Sequence, residues 1–258
     1  MADESAGHAG TPRIAVSDLT MAYGSFVLMR DMTFSVHRGD VFIIMGGSGS
    51  GKSTLLRHLI GLNQPAHGSI YYEGENLTTA DPSQRERILR DVGVLFQGGA
   101  LWSAMTLSEN IGLLLEEYTD LKSAEIRQVA ALKLALVGLK GFEDYYPSEI
   151  SGGMQKRAGL ARAMALDPDI LFFDEPSAGL DPISARRLDE LILNLRDSLG
   201  ITLVVVSHDL ASIFAIGTHS IYLDMPSRAI TASGPPKELL ARTQDPTLRS
   251  FLTRGGNP

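Results

Sequence analysis

The chain has 258 residues, 44% hydrophobic and 21% charged, which is an ordinary globular composition with length enough for one large domain. A formal net charge of -7 argues against a nucleic-acid binder, which would normally present a basic surface. Cysteine is absent, so disulfides and thiolate metal sites are excluded.

The opening "MADESAGHAG" has neither a basic nor an apolar region of the signal-peptide kind, and residues 1–12 read as a disordered tail. Residues 13–44 alternate in short segments broken by Gly24 and Gly39, which predicts strands and turns. "DVFIIM" is a continuous apolar run, the pattern of a strand covered on both faces. "GGSGSGKST" follows it, and "LLRHLIGL" begins a helix that Gly61 helps to end. "GSIYYEGENL" predicts a hairpin, "SQRERILRD" a helix and "VGVLFQ" another strand. From about 98 to 165 the pattern becomes helical, as in "TLSENIGLLLEEY" and "SAEIRQVAALKLALVGL", and predicts an inserted α-helical subdomain. Strand and helix then alternate again through "DILFFDE", "PISARRLDELILNLRDSLG", "ITLVVVSHD" and "LASIFAIG". A single domain over 13–245 is expected, with a tail at 246–258 whose Leu248, Phe251 and Leu252 could dock a short helix. The longest apolar runs fall far short of the roughly 18 residues that span a bilayer, so the chain is expected to be soluble or held at a membrane by a partner.

Residues Gly46 to Ser53 fit G-x-x-x-x-G-K-[ST] between a buried strand and a helix, the context that separates a phosphate loop from a flexible linker. Glycines let backbone N–H groups converge on one concavity, and the helix N-terminus adds positive potential for phosphate. Gly46, Gly47, Ser48, Gly49, Ser50, Gly51, Lys52, Ser53 and Thr54 are therefore candidate nucleotide-binding residues. Lys52 reaches for the β- and γ-phosphates, and the Ser53 hydroxyl is a candidate Mg²⁺ ligand.

Three more predicted strands end in reactive groups: Gln97, then Asp174 with Glu175, then His208. Ligands of open parallel sheets bind outside the carboxyl ends of strands, so these groups should meet the phosphate loop on one edge. Alone, such a glutamine is usually a cap and such a histidine a packed or surface residue. Their coincidence on one edge reverses that for Gln97 and His208, whereas His8, His37, His58, His67 and His219 lack such a setting. Phosphoryl transfer needs Mg²⁺, a group that orients water and hydrogen-bond donors near the γ-phosphate. Asp174 suits the metal, directly or through water; Glu175 suits the general base, and His208 a γ-phosphate contact.

"SGGMQKRAGLARAMAL" is a second candidate anion site. Ser151 is a good N-cap; Met154, Ala158, Ala161 and Ala165 form an apolar stripe, and Lys156, Arg157 and Arg162 lie off it. Asp167-Pro168 stops the helix.

Over nearly its full length the sequence resembles the nucleotide-binding subunits of ABC transporters. "MAYGSF" would supply Tyr23 as the adenine-stacking aromatic, "GGSGSGKST" the Walker A loop, and Gln97 the Q-loop glutamine beside Mg²⁺. "ISGGM" matches the signature, "ILFFDE" the Walker B strand, "SAGLD" the D-loop ending at Asp181, and His208 the switch histidine. The resemblance implies an α/β P-loop NTPase fold with a RecA-like core, an N-terminal antiparallel β subdomain and the inserted helical subdomain. It also implies a head-to-tail homodimer binding two ATP molecules, each held by the Walker A loop of one copy and Ser151, Gly152 and Gly153 of the other.

Within the family, "VGVLFQGGALWSAMTLSENI" and "PSEISGGMQKRAGLARAMALDPDILFFDEPSAGLDPI" look like the ATPase of Mla/MCE-type phospholipid transporters. That implies an integral permease, a periplasmic MCE-domain protein and often a STAS-domain subunit as partners. It also implies phospholipid movement between inner and outer membranes, maintaining outer-membrane lipid asymmetry, with the ATPase peripheral on the cytoplasmic face of the inner membrane. Amino-acid importers, solvent-tolerance exporters and soluble ABC ATPases of assembly scaffolds, such as iron-sulfur cluster biogenesis, share the nucleotide motifs and stay open as alternatives. Met154 stands where many ABC proteins carry glutamine, and is expected to be a subfamily marker.

Overall fold

The computed structural model describes residues 11–254. The predicted N-terminal tail and His8 therefore lie almost wholly outside the described residues. The order is β1 (Ile14–Tyr23), β2 (Phe26–Val36), β3 (Val41–Gly46), α1 (Lys52–Leu59), β4 (His67–Tyr72), β5 (Glu75–Asn76), α2 (Pro82–Arg90) and β6 (Val92–Leu95). Then come α3 (Leu107–Tyr118), α4 (Ser123–Leu136), a 3₁₀ turn (Pro147–Glu149) and α5 (Gly152–Ala163). The chain continues with β7 (Ile170–Asp174), α6 (Pro182–Leu199), β8 (Thr202–Val206) and α7 (Leu210–Ile216). It closes on β9 (His219–Asp224), β10 (Ala229–Gly234), α8 (Pro236–Arg242) and α9 (Pro246–Leu252).

Two sheets hold the strands. The first is antiparallel in the order β2-β1-β4-β5, and the second runs β10-β9-β3-β8-β7-β6. In the second sheet β6, β7, β8, β3 and β9 are parallel, with β10 antiparallel at the edge. Every residue of β3, β7 and β8 is buried, which is why these strands read as unbroken apolar runs. Their pleat sends successive side chains to opposite faces. Val41, Ile43 and Met45 join one core with the helices α3 to α7, while Phe42 and Ile44 join a second with α1 and the antiparallel sheet. Phe172 and Phe173 divide likewise, both fully buried and each contributing about 1.5–3 kcal/mol by burial.

β6 stops at Leu95, its last residue in register with β7, so Gln97 lies in the loop beyond the strand rather than at its end. Among the described residues, the stretch from 98 to 165 carries helices and no strand. Thr106 and Glu109 form a capping box at the start of α3. Buried Asn110 then fastens the preceding segment, accepting from the Trp102 N–H at 2.7 Å and donating to the Met105 carbonyl at 3.1 Å. The docking expected of the C-terminal segment takes the form of α9, which buries Leu248 and Leu252 in the helical core and packs Phe251 on Tyr222 at 5.3 Å. Among the described residues no helix is long and apolar enough to cross a membrane.

Candidate active site

Strand β3 ends in a loop whose shape requires glycine. Gly46 has φ +156, and a Cβ there would lie 2.6 Å from Ser50 Oγ and 2.7 Å from the Leu223 carbonyl. Gly51, at φ +89, caps α1 without a side-chain hydrogen bond, so the first-turn N–H groups lack a side-chain acceptor. At Gly47 and Gly49 no described atom lies within 4 Å of where a Cβ would stand, and these positions open into the cleft. The Ser50 hydroxyl is buried with no hydrogen-bond partner among the described residues.

Lys52 is buried beneath this loop, and its Nζ donates to the carbonyls of Gly46 at 3.0 Å and Gly47 at 2.9 Å. Burial lowers its pKa, against the opposing pull of the Glu175 and Asp174 charges. Ser53 Oγ donates to Asp174 Oδ1 at 2.8 Å, joining α1 to the end of β7. The next residue, Glu175, is held at φ +51, a left-handed conformation that costs a non-glycine residue roughly 1–3 kcal/mol. Its N–H donates to the Val206 carbonyl at 2.9 Å, and its Oε1 lies 2.8 Å from Nδ1 of exposed His208. Glu175 Oε2 is buried and has no hydrogen-bond partner among the described residues.

A cleft of about 990 Å³ is lined by Tyr23, Gly46 to Gly49, Gly51 to Thr54, Gln97, Glu175 and His208, while Ser50 and Asp174 lie outside its lining. The residues fit ATP with Mg²⁺. The open glycines and uncapped helix start suit phosphate, and the Ser53–Asp174 pair offers hard oxygen donors. Among the described residues no group of three or more carboxylates, histidines or cysteines could hold a metal alone. Mg²⁺ typically takes one or two carboxylates and completes its shell with water and substrate phosphates.

The second anion motif lies elsewhere. Ser151 caps α5, accepting from the Met154 N–H at 3.3 Å, and Ser151, Gly153 and Met154 line a separate cavity of about 490 Å³ with Leu180 and Ser184. Asp181 caps α6, accepting from the N–H groups of Ile183 at 3.0 Å and Ser184 at 3.1 Å. Among the described residues, neither Ser151, Gly152, Gly153 nor Asp181 lines the phosphate cleft. His37, His58, His67 and His219 lie outside it as well, and His58 Nδ1 is 2.8 Å from the Thr54 carbonyl.

Two features escape a reading of the sequence. Lys156 lies off the apolar stripe as expected, yet it is buried, and its Nζ donates to the Gln97 carbonyl. Burial lowers its pKa, while the charges of Asp174 and Glu175 oppose that shift. Ser250, Phe251 and Arg254 also reach the phosphate cleft, with Arg254 Nη2 3.4 Å from Asp209 Oδ1. Both arrangements join residues far apart in the chain, and no local pattern announces them.

A protein-family profile described as ABC transporter matches residues 29–178. The chain is 39% identical over 239 residues to the intermembrane phospholipid transport system ATP-binding protein MlaF of Escherichia coli (strain K12), covering 93% of this chain and 88% of that protein. Its Haemophilus influenzae counterpart is 37% identical over the same length, 89% of that protein. A relative from Mycobacterium tuberculosis (strain H37Rv), called a probable ribonucleotide transport ATP-binding protein, is 40% identical over 239 residues, and the chain spans 66% of its length. Among solved structures, cbiO1 of Clostridium perfringens, part of an ABC transporter complex, shares the fold with a TM-score of 0.82 at 24% identity, covering 90% of this chain and 92% of that one. A dimeric ATP-binding cassette in a post-hydrolysis state, bound to ADP and Pi, matches with a TM-score of 0.77 at 29% identity over 86% of this chain and 98% of that one. The parallel sheet is thus the RecA-like core of an ATP-binding cassette, the antiparallel sheet is its N-terminal β subdomain, and the chain belongs to the ABC transporter family.

Proposed function

We propose that this chain is the ATP-hydrolysing subunit of an ABC transporter that moves phospholipid between membranes, working as a head-to-tail homodimer beneath an integral membrane permease. The observation that carries the ATPase reading is Glu175: strained, buried, fixed by His208, and set beside the phosphate loop in one cleft. Similarity to two MlaF proteins, each matched over nearly nine-tenths of its length, supports phospholipid over ribonucleotide as the cargo. A periplasmic MCE-domain protein completes the assembly, with this chain on the cytoplasmic face of the inner membrane.

In this reading Tyr23 stacks on adenine, and the N–H groups from Gly46 to Thr54 bind the phosphates. Lys52 exchanges the neutral carbonyls of Gly46 and Gly47 for charged phosphate oxygens, a stronger acceptor for its cation. Ser53, Asp174 and Gln97 would hold Mg²⁺, which would supply neutralisation of the negative charge that develops on the phosphates. Glu175 orients the attacking water and takes its proton. His208 donates from Nδ1 to Glu175 and steadies it; when both ring nitrogens carry protons, Nε2 also donates to the γ-phosphate. Ser151, Gly152, Gly153 and Asp181 complete the site on the partner copy.

The test is purification from the native membrane. Recovery with a permease, an MCE-domain protein and bound phospholipid is the expected result. Recovery with a periplasmic solute-binding system, or with bound ribonucleotide in place of lipid, overturns the lipid assignment and leaves the ATPase to be judged by turnover.

A further inference from the structure

Helix α5 is capped by Ser151, whose motif lies apart from the phosphate cleft of its own chain, yet its middle is bound to the loop that carries Gln97. Lys156 Nζ donates to the Gln97 carbonyl, and Arg162 Nη1 donates to the Ala100 carbonyl. Between them, a Cβ on Gly159 would stand 2.7 Å from the Gly99 carbonyl and 3.1 Å from Gly99 Cα, so the loop backbone lies directly on the helix. Positions 156, 159 and 162 follow at intervals of three, along one helix face. The loop adopts a shape that presents its carbonyls to that face, with Gly99 at φ +76 and Ala100 at φ +53 in succession.

A buried lysine is unusual, because desolvating an ammonium is costly unless it is paired. Here the cation satisfies a carbonyl that the loop would otherwise leave facing the helix. The Asp174 and Glu175 carboxylates lie close enough for their charges to favour the cation.

We propose that Lys156 is a positioning residue that, with Gly159 and Arg162, laces α5 to the Gln97 loop, so that this loop and the Ser151 end of α5 move as one body. The lacing stands on this chain alone. Its consequence for turnover rests on the dimer reading above: a shift at Gln97 caused by nucleotide in one site carries Ser151 with it, and Ser151 serves the other site. The two nucleotides are coupled through Lys156.

The full-length chain tests both parts. In the nucleotide-free protein, Lys156→Met should speed hydrogen exchange at the amides of residues 98–100 by about tenfold or more, because the loop opens locally without its anchor. In the transporter complex the same variant should keep the Kd for ATP within about threefold while the Hill coefficient of hydrolysis falls from near 2 towards 1. Lys156→Arg, which keeps a charged donor, should restore both readings. Arg162→Gln repeats the exchange measurement at the far end of the lacing, so that poor folding of one variant does not decide the result. Unchanged exchange in both Lys156→Met and Arg162→Gln overturns the lacing. Faster exchange with full cooperativity overturns the coupling. An unsubstituted complex that hydrolyses ATP without cooperativity overturns the coupling as well, whereas a chain that stays monomeric with ATP bound overturns the dimer reading instead, and the exchange result then decides the lacing by itself.

Discussion

The two anion motifs of this chain are built to different degrees of completion. Around the phosphate loop, groups from distant parts of the sequence already touch: Ser53 meets Asp174 across 121 positions, and Glu175 meets His208 across 33. Around Ser151 there is a capped helix whose first residues are exposed and open to solvent. The loop half sits where the ends of buried parallel strands converge, so its geometry follows from the packing of the core. The Ser151 half sits at the tip of a helix, away from the phosphate cleft of its own chain, and in the proposed dimer it is finished by the partner copy. A site divided in this way is organised before ligand arrives on one side and contingent on assembly on the other.

The largest expected effect is on the organised half. Glu175→Gln keeps the shape and the His208 contact but removes the base, so turnover should fall at least 100-fold, with ATP affinity within about threefold. Near-normal turnover removes Glu175 from the role of base. The next tests the contingent half. At Gly152 no described atom lies within 4 Å of where a Cβ would stand, and an aspartate at the start of α5 favours the helix dipole, so Gly152→Asp should fold normally. It should bind ATP as before, yet its carboxylate would oppose the partner's γ-phosphate and cut turnover by about 30-fold or more. If Gly152→Asp instead weakens ATP binding in the isolated chain, the two motifs serve one site within one copy. Smaller again is Ser53→Ala, which should raise the Mg²⁺ concentration for half-maximal turnover by about tenfold, with binding of metal-free ATP nearly unchanged. An unaltered Mg²⁺ requirement removes Ser53 from the metal's ligands.

The same contrast explains what could be read from the sequence. The phosphate loop, the all-buried runs of β3, β7 and β8, and the groups at or just past the strand ends are local patterns, and local patterns survive translation into structure. Gln97 illustrates the limit: its strand ends two residues earlier, at Leu95, the last residue in register with β7. Lys156 shows a deeper one. Helical periodicity puts it off the apolar stripe and says nothing of what covers that face, which is the loop from Gln97 to Ala100. Arg254 and Ser250 likewise enter the phosphate cleft only because α9 folds back over the core through Leu248 and Leu252. Contacts of this kind join segments whose distance in sequence carries no signal.

The smallest expected effect is at Met154, which occupies the position where many ABC proteins have glutamine. Its backbone N–H, not its side chain, is what Ser151 Oγ accepts from, and its side chain is half-buried against the helical core. The neighbouring amide has a structural task of its own, since Gln155 Nε2 donates to the Pro147 carbonyl at 2.8 Å and so anchors the turn that leads into α5. Gln155 therefore does not take the place of the missing glutamine, and the Ser151 cap holds whichever side chain stands at 154. An amide at 154 would add or remove at most one hydrogen bond, worth about 0.5–1.5 kcal/mol, or roughly tenfold. Met154→Gln should accordingly change turnover by less than about tenfold in either direction, and Gln155→Ala should disturb stability more than it disturbs ATP affinity. A collapse of turnover in Met154→Gln would mean that the side chain itself, and not the backbone at the start of α5, reaches the partner's nucleotide.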